Sequence, residues 1–396
     1  MDRTSTAFWM QTRNRFGTSA THTLKRAGMC VVLVLFMFSC SSLPLTHREI
    51  PPGEAPPLYS MVFIIHGDGD YLYHDTLGNA YRADKKALAG AIGVAVHNPH
   101  AEVFIFHEKP RKHPLLFFPL RDGEFRYYRH GRLFAHESYW RNQGPSRFAL
   151  ESDLYHRFHG EEHPQMVKLF LYFGHEIPEF GGTGYDASYS DRLFTVDDLA
   201  EGLNRFIRES PKFDLIVLST CYSGTPHTIA ALAPYAHTIV ASPENLHLSY
   251  FDLQPFERLE TGLADGDVSA FAVKFAYHAF DRLTDHVQTA ITVAVYDVER
   301  VREYVNAVGS ANDSTLKTMA AMPGSLEHCD CAEEPAYILP GMSEGVEVFY
   351  RPARFGRAKN KLDHSGWECW RRSGHGHLLQ VQSQGMRYEH ARLVQQ

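Results

Sequence analysis

Two stretches decide the fold, Lys168-Leu-Phe-Leu-Tyr-Phe-Gly-His175-Glu176 and Asp214-Leu-Ile-Val-Leu-Ser-Thr-Cys221-Tyr-Ser-Gly224. Each begins with a short run that is apolar almost throughout and rich in β-branched and aromatic residues. Such runs are typical of strands that are buried on both faces of a parallel sheet. One run leads directly to a histidine and the other to a cysteine.

The segment between the two runs, Val196 to Glu209, predicts an amphipathic helix because its leucine and phenylalanine residues fall at helical spacing. Two aspartates near its start suit the positive end of the helix dipole. A strand, a helix and a second strand form a crossover that joins parallel strands. Both carboxyl ends then lie on the edge where open α/β sheets keep their reactive groups. We therefore predict that His175 and Cys221 face each other.

This pairing suits nucleophilic catalysis by a thiol. A cysteine attacks only as its thiolate, which is favoured by an imidazolium partner and by the N-terminus of the helix predicted from about Gly224 to Ala233. The alternative is a small buried cysteine beside a core histidine with its hydrogen bonds satisfied. Because the two residues follow matching strand ends, the catalytic interpretation is favoured.

The same segments resemble the clostripain-like cysteine peptidases, in the group that contains caspases, legumains and gingipains. The resemblance is carried by the run from Leu171 to Asp186, by Leu-Ser-Thr-Cys-Tyr-Ser-Gly, and by the alanine-rich run from Ala230 to Ser242. It implies a caspase-like α/β fold with a mostly parallel sheet flanked by helices. It also implies a polypeptide substrate, with Cys221 as nucleophile and His175 as general acid/base.

The resemblance further implies that the backbone N–H groups of Cys221 and Glu176 form the oxyanion hole. Glu176 stands where the family has glycine, and Ser219 stands where it has an acid that binds a basic substrate side chain. Glu244, just beyond the strand end at Ser242, is a candidate replacement acid. Ser219, Ser242 and Glu244 are accordingly the predicted substrate-binding residues. The two departures keep a second function open, that of an inactive peptidase fold serving as a surface binding module.

The N-terminal segment predicts export. In residues 1–39 a basic region precedes the apolar run from Met29 to Phe38, which is too short to span a bilayer. A small residue and then Cys40 follow, as in bacterial lipoprotein signals, so Cys40 is the predicted lipidation site and anchors the protein to a membrane of the cell envelope. An uncleaved anchor or an ordinary secretory signal is the alternative. Residues 40–58 contain five prolines and predict a tether.

Two further regions complete the predicted organisation. Residues 59–310 form the peptidase domain, interrupted between Leu115 and Glu137 by hairpin strands with a turn at Arg121-Asp-Gly-Glu124. Residues 311–396 form a small β-rich extension with predicted strands at 336–339, 346–350 and 378–382. In an oxidising compartment Cys369 pairs with Cys329 or with Cys331, which leaves one free thiol.

Other functional classes are less well supported. A net charge of −7 argues against a general nucleic-acid binder. The His66-Gly-Asp-Gly-Asp70 turn resembles the oxyanion loop of α/β-hydrolases, but no Gly-x-Ser-x-Gly occurs and that fold places its histidine after the nucleophile. A hydrolase of that type with Cys221 as nucleophile is kept as a minor alternative. The sequence His159-Gly-Glu-Glu-His163 matches a zinc-peptidase pattern, yet Gly160 and the following proline oppose the helix it requires. We predict no metal or other cofactor; calcium is left open without a supporting motif, and so is the oligomeric state.

Overall fold

The computed structural model describes residues 51, 53–67, 71–74, 80–111, 120–141, 147–160, 163–207, 212–246, 250–259, 267–309 and 326–372. All described residues belong to one compact unit, His47–Gln396. The predicted signal peptide, lipidation site and most of the tether lie outside the described residues. None of the described helices is long and apolar enough to cross a membrane.

Strands and helices alternate through the first part of the chain. The strands are β1 (Tyr59–His66), β2 (Leu72–His74), β3 (Ala80–Arg82), β4 (Ala101–Glu108), β5 (Gly123–Arg129), β6 (Arg132–Tyr139), β7 (Val167–Phe173), β8 (Phe213–Ser219), β9 (Ala236–Ala241), β10 (Ile291–Asp297), β11 (Leu326–Asp330), β12 (Val346–Arg351) and β13 (Glu368–Arg372). The helices are α1 (Ala83–His97), α2 (Ala149–Phe158), α3 (Val196–Phe206), α4 (Pro226–Leu232), α5 (Val268–His286) and α6 (residues 302–309).

Nine strands form the central sheet in the order β12-β10-β9-β8-β7-β1-β4-β5-β6. The five strands from β4 to β9 in this order are parallel, whereas the pairs toward both edges are antiparallel. One face packs against α1 and α5, and the other against α2, α3, α4 and α6. This arrangement confirms the predicted mostly parallel sheet flanked by helices.

The predicted crossover is present between β7 and β8. Every residue of β7 is buried, as expected for a parallel strand covered by helices on both faces. Helix α3 begins with a capping box, in which the Asp198 N–H donates to Thr195 Oγ1 and the Thr195 N–H donates to the Asp198 carboxylate at 2.9 Å. These two bonds fix where the helix starts and hence the length of the connection.

The inserted hairpin is present, but its predicted turn at Asp122-Gly123 is wrong. The turn between β5 and β6 is His130-Gly131, where φ is +49° and +76°. Two successive positive φ values are what a tight two-residue hairpin turn requires. Gly123 instead begins β5, and the apolar run of residues 115–119 lies outside the described residues.

The predicted C-terminal extension contributes a strand to the central sheet. Strand β12 pairs with β10 and so completes one edge of the central sheet. Strands β11 and β13 form a separate two-stranded antiparallel sheet. The disulfide is Cys331–Cys369, which leaves Cys329 as a buried free thiol.

The sequence predicts two further strands in this extension, and neither is observed among the described residues. The one predicted at 336–339 is wrong, since a short 3-10 turn covers Pro335–Tyr337 and Pro335 occupies its first position. The strand predicted at 378–382 lies outside the described residues.

Candidate active site

The site is defined by the adjacent ends of β7 and β8. These strands pair in parallel with Phe173 opposite Ser219. His175 follows Phe173 by two residues, and Cys221 follows Ser219 by two residues, so both emerge from neighbouring strands at one edge of the sheet. Both side chains are half-buried, which leaves them open to a substrate on that edge.

His175 is held by two tyrosines. Its backbone N–H donates to the Tyr71 hydroxyl at 3.2 Å, and its ring lies 4.3 Å from the buried Tyr71 ring. On the other side, the Tyr185 hydroxyl donates to the His175 carbonyl at 3.4 Å. The position of the imidazole is therefore set by the protein before any substrate binds.

A buried network of ionisable side chains packs against Tyr185, which contacts His175. The Tyr185 ring stacks on His66 at 4.8 Å, and His66 Nδ1 lies 2.6 Å from Glu108 Oε2. Glu108, Asp186 and His66 approach one another closely enough to hold a cation. The Arg141 guanidinium, however, donates to both carboxylates and balances their charge itself. We therefore interpret the cluster as an ion-pair network.

Cys221 lies in a turn that is bonded to the turn after β9. Its thiol donates to Asn245 Oδ1 at 3.3 Å, and the Leu246 N–H donates to the sulfur at the same distance. The next residue, Tyr222, adopts a left-handed backbone conformation with φ of +48°. Helix α4 starts only at Pro226 and is seven residues long, and Thr225 caps its first turn. The helix predicted after the cysteine is therefore present close to its predicted bounds.

The three predicted substrate-binding residues serve different purposes. Ser219 is buried and its hydroxyl accepts the Phe251 N–H at 2.9 Å. Ser242 is fully buried, and its hydroxyl donates to the Thr292 carbonyl at 2.9 Å. Both hydroxyls form hydrogen bonds with backbone groups of the protein, and their predicted contacts with a substrate stay a prediction.

Glu244 points toward the C-terminal segment, with its Oε1 3.8 Å from His364 Nε2. Burial raises the pKa of Glu244, and the positive charge of Lys361 opposes that change. The predicted replacement acid therefore lies against the protein itself, in a half-buried position.

A cavity lies beside the strand ends, on the α1 and α5 face of the sheet. Its volume is about 20 Å³. Its walls are mostly aliphatic and aromatic, and none of its described lining residues is charged; they include Leu171, Phe173, Val217, Ser219, Tyr250 and Phe251. Cys221 packs against the same hydrophobic layer.

One group of residues near the site carried no signal in the sequence. His328 on β11 stacks on Tyr222, with ring centroids 3.7 Å apart and planes 3° apart, and its Nε2 lies 3.1 Å from Glu176 Oε1. Trp370 on β13 stacks against His328 at 3.8 Å. Because 152 positions separate His328 from Glu176, no local pattern could have linked them.

Comparison with known proteins was made at three levels. The model of the clostripain family matches residues 174–331, a range that includes both His175 and Cys221. A search of curated proteins found no match.

Among solved structures, an inactive zymogen C11 protease from Parabacteroides distasonis aligns with a TM-score of 0.52 at 14% identity, over 86% of this chain and 97% of that chain. This likeness shows a shared fold. A secreted C11 cysteine protease from Bacteroides thetaiotaomicron, in complex with an irreversible peptide inhibitor, aligns with a TM-score of 0.44 at 14% identity, over 63% of this chain and 68% of that chain.

Removal of the Asn245 side chain should make Cys221 more reactive. The thiol loses an acceptor that stabilises its neutral form, while the Leu246 N–H still donates to the sulfur. Since S–H is a weak donor, we expect Asn245→Ala to alkylate about two- to threefold faster than the wild type. Rates with iodoacetamide between pH 6 and 8 test this, after subtraction of the rate for Cys221→Ala. The isosteric Asn245→Asp adds negative charge and should slow the reaction; a slower Asn245→Ala would contradict the assignment.

Proposed function

We propose that this chain, a clostripain-like cysteine peptidase, hydrolyses peptide bonds through a Cys221 thiolate with His175 as general acid/base. The observation that carries the proposal is the parallel pairing of β7 and β8, which brings the residues after both strands to one edge. The family match supports it, since it begins at the residue before His175 and extends past Cys221.

The reaction proceeds in two stages. The Cys221 sulfur attacks the scissile carbonyl carbon, and the developing oxyanion accepts hydrogen bonds from the N–H groups of Cys221 and Glu176. As the C–N bond breaks, the His175 imidazolium donates its proton to the leaving amine, which leaves an acyl group on sulfur. Neutral His175 then takes a proton from water, the resulting hydroxide attacks the thioester, and the C–S bond breaks to release the acid.

A second candidate is a binding module that has kept the peptidase fold and lost its activity. Glu176 and Ser219 favour it because both depart from the family pattern at the site. The hydrogen bonds that position His175 and the thiol favour the enzyme instead, because a site released from catalysis has no need of them. Direct assay of cleavage separates the two.

Replacement of either member of the dyad should abolish cleavage. We expect Cys221→Ala and His175→Ala each to lower kcat/KM by at least about 10³-fold, since neither residue acts without the other. A peptide library of mixed sequence, with new ends read by mass spectrometry, measures this. Matched controls are Cys329→Ala, at the buried free thiol, and His237→Ala, exposed near the start of β9 at the opposite edge. Cleavage that survives Cys221→Ala would contradict the mechanism, and no cleavage by the wild type would favour the binding module.

The apolar cavity beside Ser219 supports a proposal about the substrate. We infer that it receives the side chain that precedes the scissile bond, because it adjoins the strand ends that carry the dyad and lies on the layer that Cys221 contacts. The small volume and the uncharged walls favour a small apolar side chain. A buried ammonium or guanidinium would be left unpaired there. In this proposal Ser219 and Ser242 fix the walls of the site and Glu244 remains with the C-terminal segment.

The library should therefore be cleaved after apolar residues in preference to lysine or arginine. Ser219→Asp places an acid at the family position and should raise cleavage after basic residues relative to apolar ones by at least tenfold, an effect of about 1.4 kcal/mol. Ser219→Ala is the control for loss of the hydrogen bond to Phe251. A wild-type preference for basic residues would contradict this proposal and would point to Glu244 as the recognising acid.

We also propose that the protein is exported and anchored through lipid on Cys40. The basic and apolar N-terminal segment supports export, and so does the disulfide Cys331–Cys369, since disulfides persist in oxidising compartments.

Cys40→Ser should move the protein from the membrane fraction to the soluble fraction and abolish incorporation of labelled fatty acid. Cys30→Ser, within the apolar run, is the matched control. Retention of Cys40→Ser in the membrane with its N-terminal segment uncleaved would favour the alternative of an ordinary uncleaved anchor.

A further inference from the structure

His328 contacts the residues that follow both members of the dyad. Its Nε2 lies 3.1 Å from a carboxylate oxygen of Glu176, the residue after His175. Its ring stacks on Tyr222, the residue after Cys221, at 3.7 Å and within 3° of parallel. One side chain on β11 thereby joins two loops that come from different strands of the central sheet.

His328 is itself held in place from behind. Trp370 on the neighbouring strand β13 stacks against it at 3.8 Å, and the Trp370 indole N–H donates to Glu179 Oε2 at 2.9 Å. The disulfide between Cys331 and Cys369 links the ends of the two strands. The β11–β13 sheet is thus bonded to the loop after His175 at two points, through Glu176 and through Glu179.

The two contacts fall where backbone geometry matters most. Tyr222 has a φ of +48°, a conformation that L-residues with a side chain adopt only when their surroundings hold them there. The stacked imidazole is such a restraint on the Tyr222 ring. Glu176 stands where the family has glycine, and its carboxylate is engaged by the same imidazole.

We propose that His328 is a positioning residue that fixes the peptide units after His175 and Cys221 in the arrangement the oxyanion requires, by binding Glu176 and stacking on Tyr222. The inference rests on the proposed roles of Cys221 and His175 and adds to them a residue from the C-terminal segment. In this arrangement Glu176 replaces glycine without loss of activity because His328 holds it.

A second carboxyl group faces the imidazole from β13. Glu368 Oε1 lies 3.8 Å from His328 Nδ1. Burial raises the pKa of Glu368 well above its ordinary value, and the neighbouring charges of Glu244 and Asp330 raise it further. The charged form of Glu368 is therefore disfavoured, and the short contact of His328 is the one to Glu176.

The test separates the contact with Glu176 from the stacking. His328→Phe keeps a ring between Tyr222 and Trp370 but cannot bind Glu176, His328→Gln keeps a hydrogen-bond donor, and His328→Ala removes both contacts. The substrate is the best-cleaved peptide of the library, and the inhibitor is the aldehyde of the same sequence, whose tetrahedral adduct carries the oxyanion. Iodoacetamide alkylation of Cys221 and the midpoint of urea unfolding are measured on every variant.

We expect His328→Ala to lower kcat about 10- to 100-fold with KM within twofold, since small misplacements of catalytic groups have effects of this size. Aldehyde binding should weaken by the same factor, while the alkylation rate stays within twofold because the thiol itself is not touched. His328→Phe should show most of the loss in kcat and in aldehyde affinity that His328→Ala shows. His328→Gln should show a smaller loss in both. In a Glu176→Gly background, His328→Phe should lose clearly less than it does alone.

Two results would overturn the inference in different ways. If the wild type cleaves and depends on Cys221, but His328→Phe and His328→Ala keep wild-type kcat and aldehyde affinity, His328 is not a positioning residue and the proposed function stands. If the wild type does not cleave, or if Cys221→Ala cleaves equally well, both proposals fail together. If His328→Gln lowers both kcat and the urea midpoint of unfolding but leaves aldehyde affinity unchanged, the role of His328 is purely structural.

Discussion

The parallel hydrogen bonding of β7 to β8 is the constraint on which the site depends. Neighbouring strands lie about 4.8 Å apart, and the register of Phe173 with Ser219 places both strand ends at the same level. Both strands are covered by helices on both faces, so a shift of one residue would turn every inward side chain to the other layer. The fixed start of α3 then sets the length of the crossover. The residues that follow both strands, His175 and Cys221 among them, therefore emerge at one edge of the sheet without any special local sequence.

The C-terminal segment adds a second constraint, separate from the pairing of β7 with β8. Its disulfide closes a loop of 38 residues, which in the chain-entropy model is worth about 4 kcal/mol. Beneath it lies a cluster of acids, in which Lys361 Nζ bridges Asp330 at 2.9 Å and Glu333 at 2.8 Å. Burial lowers the pKa of His364 to about 4, so this histidine is neutral, and the cations that pair with these acids are Lys361 and Arg371. The segment is therefore held by a covalent link and by charge pairing as well as by apolar contacts.

The sequence predicted the features that depend on local pattern and missed those that depend on distant contacts. Buried parallel strands and the α3 crossover follow from apolar runs and helical spacing, and each was found close to its predicted bounds. The Asp122-Gly123 turn failed because Asp122 is used elsewhere: its carboxylate accepts the Arg141 N–H at 3.0 Å and the Tyr189 hydroxyl. Strand β12 was predicted as a strand, but its pairing with β10 was not. The paired residues are about 50 to 60 positions apart, and no local sequence pattern indicates which strands pair over that distance. The partner of Glu176, His328, is 152 positions away and is hidden from local sequence patterns for the same reason.

Glu176 shows how a departure from a family pattern depends on its surroundings. Considered by position alone, a glutamate in place of glycine beside an oxyanion hole suggests lost geometry, because a side chain narrows the backbone choices there. The structure supplies that side chain with a partner, and the partner also stacks on the residue after Cys221. Glutamate in place of glycine at position 176 thus restricts the backbone there, and its contact with His328 can stiffen the loops after both His175 and Cys221. Because Glu176 and His328 contact each other, a glutamate at position 176 does not by itself indicate whether the site is active.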